Sequence, residues 1–111
     1  MSEFLYVYRG GDRSSQSPEQ MQQIMQKWIA WFQGLAEKGH VKDRGNALEP
    51  ASKVVSGTSK TVTDGPFAEK DLVGGYSLIE ARDLTQATEL SKGCPILERG
   101  GSVEVRPIMQ M

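Results

Sequence analysis

Residues 17–39, SPEQMQQIMQKWIAWFQGLAEKG, constrain the fold most, because they carry a start signal, a helical stripe and a stop signal in register. Ser17 is an N-cap residue, Pro18 suits the first helical position, and Gln20 completes a capping box. Met21, Ile24, Met25, Trp28, Phe32 and Leu35 recur at helical spacing and define one apolar face. Gly39 is placed to end the helix in the left-handed conformation. Ile29 and Trp31 widen the stripe, which fits either a broad core face or an interface. A helix this apolar on one side needs a sheet to cover it, and the flanking segments supply one.

The segment EFLYVYRG sets Phe4, Tyr6 and Tyr8 against Leu5, Val7 and Arg9, so both faces of this strand read as covered. VKDRGNALEP reads as a connection with a short extended piece. SKVVSGTSKTVTD reads as a hairpin around Ser56-Gly57-Thr58-Ser59. GGYSLIEA is a strand with Tyr76, Leu78 and Glu80 on one face and Ser77, Ile79 and Ala81 on the other. In DLTQATELSKG, Asp83 caps a second helix, Leu84, Ala87 and Leu90 line one side, and Gly93 and Pro95 end it. GSVEVRPIM is the last strand, with Val103 and Val105 opposite Glu104 and Arg106.

The order predicts an α+β chain, a ferredoxin-like β-α-β-β-α-β arrangement with an extra hairpin, both helices on one face of an antiparallel sheet. Residues 1–111 form one domain, since 111 residues suit one ordinary core. The sheet's second face has no helices to cover it. An apolar face bearing Glu104 and Arg106 invites a second copy or a ligand.

A net charge of −1 leaves no basic footprint for nucleic acid. Cys94 has no disulfide partner and His40 no metal-binding companions, so the expectation is a cytoplasmic protein without metal or cofactor. Met1 to Tyr8 run straight into a strand, with no leader or membrane span in view. His40 reads as a surface residue and Cys94 as a small packing residue.

The stretch TVTDGPFAEKDLVGGY poses the functional question. Asp-Gly alone would make a tight turn, but Pro66 lacks the N–H a returning strand needs and confines Gly65 to extended backbone. The chain must therefore leave the sheet for an excursion carrying Asp64, Phe67, Glu69 and Lys70. Asp64 has two readings: a turn residue bonding nearby backbone, or a general acid or base whose carboxyl lies beside an apolar ring.

VTDGPFAEKDLVGGYSLIEA followed by GCPILERGGSVEVRPIM resembles the YCII-related, or DGPF-domain, proteins over nearly the whole chain. The matching positions are Asp64, Gly65, Pro66, Phe67, Glu69 and Lys70, then Glu104, Arg106 and Pro107. The resemblance implies a subunit pairing into a dimeric α/β barrel with a cleft between sheet and loops. In the broader group a His–Asp pair suggests acid–base chemistry, and some members are encoded beside extracytoplasmic-function sigma factors. Here KWIAWFQGL lacks that histidine and Asp71 replaces a common glutamate. The expected site is Asp64 as catalytic group, with Phe67, Glu69, Lys70 and Arg106 binding a small anionic ligand. Isomerase- or lyase-like chemistry competes with a non-catalytic binding or regulatory role, in a homodimer that contacts neither nucleic acid nor membrane.

Overall fold

A computed structural model describes residues 1–11, 16–66 and 72–110. Among the described residues, six strands and two α-helices follow in the order β1 (Ser2–Arg9), α1 (Pro18–Glu37), β2 (Val41–Ala47), β3 (Ser52–Ser56), β4 (Thr61–Gly65), β5 (Val73–Ala81), α2 (Leu84–Ser91) and β6 (Ser102–Pro107). A 3₁₀ turn, Pro95–Arg99, joins α2 to β6. Strands β2, β5, β1 and β6 lie side by side in that order, all antiparallel, while β3 and β4 form a separate two-stranded hairpin. The mixed α+β class and the interposed hairpin agree with the sequence.

Register explains which side chains share a face. Tyr6 stands opposite Ser77 on β5 and Val105 on β6, and Tyr8 opposite Gly75 and Val103. These residues, with Phe4, Ile79 and Ala81, lie under the helices and form the core. The other face carries Leu5, Val7, Leu78, Glu104 and Arg106, the set that strand alternation predicted.

Both helix starts are built as the sequence indicates. The Ser17 hydroxyl accepts from the Gln20 N–H while the Gln20 side chain accepts from the Ser17 N–H, and the Asp83 carboxylate accepts from the Gln86 N–H. Gly39 takes φ +77°, so α1 stops there in the left-handed region.

Packing along α1 is uneven. Phe32 and Leu35 are buried and Trp31 stacks on Tyr6, with ring centroids 6.1 Å apart and 13° between planes. Trp31 is therefore core. Met21 and Met25, expected on the core face, are instead exposed, because the aromatic packing begins only at Trp28. Ile29 is also exposed.

Two other readings are corrected. Residues 41–47 are a strand of the main sheet rather than a connection, hydrogen-bonded to β5 through a bulged register. His40, read as a surface residue, is buried, because its Nδ1 bonds the Glu80 carbonyl at 2.8 Å and its N–H the Leu35 carbonyl at 2.9 Å. Those bonds fasten the end of α1 to the edge of β5.

Cys94 is buried in the core. Burial pushes its thiol up to about 12 from the ordinary 9.0, with a backbone hydrogen bond at Ile96 acting weakly in the opposite direction. The unfolded chain then gives up this proton near pH 9 while the folded chain keeps it. Stability present below pH 9 is lost as pH rises towards 12, by about 1 kcal/mol at pH 10. Tyr6 and Tyr8, also raised mainly by burial, add in the same direction. Urea midpoints measured from pH 7 to 10.5 should fall through this window, and the fall should be shallower in Cys94→Ala.

Candidate functional site

Among the described residues, a recess stands on each face of the main sheet. The helix-side recess has a volume of about 560 Å³ and is walled by Tyr8 of β1 and by Trp28 and Phe32 of α1. The Trp28 ring meets Tyr8 edge-on at 5.0 Å and Phe32 at 6.0 Å, so three rings hold one another in place. Gly75 leaves the recess open, because no side chain stands opposite Tyr8 at that register position. Arg44 of β2 and Arg99 of the 3₁₀ turn bring positive charge.

A bulge in β2 aims Arg44. Gly45 takes φ +72° and passes so close to β5 that a Cβ would lie 1.8 Å from the Tyr76 carbonyl oxygen. Only glycine fits there. The Gly45 N–H donates to Asp43 Oδ1 at 2.7 Å, which occupies the aspartate nearest to Arg44 in sequence. The Tyr8 hydroxyl donates to Ser77 Oγ at 2.8 Å, and Ser77 Oγ donates to the Arg44 carbonyl at 2.6 Å. One chain of hydrogen bonds thus ties β1, β5 and β2 together behind the recess. The Arg44 guanidinium carbon then sits 5.7 Å from the centre of the Phe32 ring, a cation–π distance.

Electrostatics limits what these groups can do. Burial raises the Tyr8 phenol above its ordinary range, the Ser77 hydrogen bond offsetting part of the rise. Tyr8 therefore stays protonated at neutral pH, with its proton committed to Ser77. No carboxylate or imidazole is among the described lining residues. The recess supplies apolar walls, shape and positive charge.

On the opposite side, a more open cleft of about 900 Å³ lies between the hairpin and the helix-free sheet face. Arg9, Glu49, Lys53 and Glu104 give it both signs of charge, and Pro66 and Leu72 mark where the DGPF segment leaves and rejoins the described chain. Arg9 holds Glu104 through Nη2 at 3.1 Å and Nε at 3.3 Å.

The residues singled out from sequence fall as follows. Asp64 is on β4, its side chain 85% exposed and ion-paired with Lys53 of β3. Arg106 is on β6, 68% exposed, with Nε 3.8 Å from Glu104 Oε2. Asp64 and Arg106 are thus paired with strand neighbours rather than with each other. Their partners, Lys53 and Glu104, both line the cleft. Phe67, Glu69 and Lys70 lie outside the described residues. The Gly65–Pro66 peptide is cis.

Sequence reasoning missed Arg44 and treated Trp28 and Phe32 only as core. A glycine between Arg44 and Asn46 in a short extended segment was the available signal, since it marks a bulge or a close backbone approach. Among the described residues no group of three or more His, Cys, Asp or Glu could hold a metal ion. No helix among them is long and apolar enough to cross a membrane.

The chain belongs to the YCII-related domain family, whose model matches residues 4–111. No curated protein matches the sequence. Among solved structures, the chain is similar to 5-chloro-2-hydroxyhydroquinone dehydrochlorinase from Burkholderia phenoliruptrix AC1100, solved in complex with 2,5-dihydroxybenzoquinone. The TM-score is 0.56 at 16% identity, over 97% of this chain and 95% of that one. At that identity the likeness is one of fold.

Proposed function

We propose that this YCII-related domain binds a small organic molecule in the helix-side recess, as a homodimer in the cytoplasm. The observation that carries the reading is the wall of three rings, Tyr8, Trp28 and Phe32, around a volume of about 560 Å³. That volume lies within the range of small-ligand sites, and its mix of apolar wall and few polar groups is typical of them. The described residues fit binding and orientation of a ligand, which favours a binding or regulatory role over general-base chemistry in this recess. The complex of the dehydrochlorinase with a dihydroxybenzoquinone supports the same scale of ligand on the same fold.

A second reading keeps acid–base chemistry, isomerase- or lyase-like, at the sheet-face cleft. It is favoured by Lys53 and Glu104, which line the cleft and pair with Asp64 and Arg106. Asp64 would then be the proton-transfer group and Arg106 would orient an anion.

One titration separates them. Isothermal titration follows the heat of binding while a library of ring-containing fragments is added. Heat of binding from a subset, abolished by Trp28→Leu and unchanged by Asp64→Asn, is expected. Binding that survives Trp28→Leu and disappears in Asp64→Asn would move the site to the cleft.

The dimer would rest on the helix-free face, where half-buried Leu5 and Leu78 share a surface with Glu104 and Arg106. The hairpin adds exposed Val55 and Val62, directly opposite each other. A two-stranded hairpin is marginal alone, so a partner surface would stabilise it. Light scattering at micromolar concentration should give twice the 12.2 kDa chain mass, with on the order of 1,600 Å² buried in total. A clean monomer would contradict the pairing.

A further inference from the structure

We propose that the helix-side recess selects a planar aromatic anion, its ring against Trp28, Phe32 and Tyr8 and its acidic group on the Arg44 guanidinium. This rests on the reading of that recess as a ligand site and adds the chemical class of the ligand.

Arg44 carries the inference. Arg9 and Arg106 bond Glu104, and Arg82 sits 3.6 Å from Asp83 Oδ2, but Arg44 has no carboxylate partner among the described residues. Its contact is instead the Phe32 face at 5.7 Å. A guanidinium lying over a ring keeps its N–H fork available for a flat, two-oxygen acceptor such as a carboxylate or an acidic enol. Nothing negative on the described lining competes for it.

The position is also built, since the backbone at Arg44 is fixed on both sides. Ser77 Oγ donates to its carbonyl, and the next residue is a glycine that no other residue can replace without a clash. A guanidinium held at the mouth of an aromatic-walled recess selects for charge at one end of the ligand and a π-face at the other. A neutral ring would leave the guanidinium bonded only to water. An aliphatic acid would fit the charge but lose the ring contacts.

Isothermal titration with three matched probes tests this: 2-naphthoate, 2-naphthamide and cyclohexanecarboxylate. Naphthoate should bind about tenfold or more tighter than either of the others, the range expected for a charged hydrogen bond. Arg44→Gln should remove the preference for naphthoate over naphthamide, and Arg44→Lys should keep part of it. Circular dichroism of the Arg44 variants should match the wild type, because the side chain is on the surface. Equal binding of naphthoate and naphthamide, both displaced by Trp28→Leu, would overturn the anion selectivity and leave the recess as a ligand site. Naphthoate binding that ignores both Trp28→Leu and Arg44→Gln would overturn the site itself.

Discussion

Gly45→Ala should lower the unfolding free energy by more than about 3 kcal/mol or prevent folding outright. Two costs combine. A left-handed backbone at φ +72° is strained by about 1 kcal/mol for a residue with a Cβ. The larger cost is steric, because the new methyl would lie 1.8 Å from the Tyr76 carbonyl oxygen and 2.7 Å from its carbon. Those are backbone atoms of a central strand and cannot rotate away. Strand β2 would have to leave β5 between the Asp43–Leu78 and Asn46–Tyr76 pairings. Arg44 would leave Phe32 with it, so ligand binding should be lost together with stability. Chemical denaturation measures the first effect. An unchanged midpoint would show that β2 does not approach β5 in this way.

Tyr6→Ala should cost about 3–5 kcal/mol, the range for deleting a large buried ring. Tyr6 is completely buried at the centre of the sheet, stacked on Trp31 and edge-on to Tyr8 at 6.5 Å. Its hydroxyl donates to the Ala87 carbonyl of α2, so one side chain ties sheet, first helix and second helix together. Tyr6→Phe isolates that hydrogen bond and should cost only about 1 kcal/mol. Equal losses in the two variants would mean that the hydroxyl, rather than the ring, dominates.

The sequence made much of this fold legible. Alternation in EFLYVYRG and GSVEVRP assigned faces correctly, since period-two patterning survives wherever one face is under a helix. Capping at Ser17 and Asp83 is local chemistry and could be read without tertiary information. What could not be read depended on contacts between distant segments. Residues 41–47 contain three charged residues, Lys42, Asp43 and Arg44, and a glycine, and nothing in their own composition says strand. Pairing with β5 imposes it, through a bulge at Gly45. His40 looked like a surface residue for a similar reason, because its burial depends on the Glu80 carbonyl forty residues away.

The site was legible in part. The DGPF and Glu-Val-Arg-Pro segments drew attention to the sheet-face cleft, whose lining includes Pro66 and Glu104. The helix-side recess was hidden because Trp28 and Phe32 satisfy a core pattern as well as a binding pattern. Periodicity reports that a face is apolar and does not report whether something is packed against all of it. Arg44 becomes interesting only when the bulge sets its guanidinium over Phe32.

Ligand entry between α1 and the sheet, as proposed, would change the surroundings of Trp28. Its most direct test is the indole N–H spectrum of the ¹⁵N-labelled protein, in which the two tryptophans, Trp28 and Trp31, give separate signals. Trp31 Nε1 already donates to the Leu90 carbonyl at 3.4 Å on the core side and serves as the internal reference. On addition of 2-naphthoate the Trp28 signal should move in a saturable way while Trp31 moves less, with hairpin amides of Ser52–Ser56 unchanged. A saturable shift confined to the hairpin, with Trp28 still, would place the ligand outside this recess.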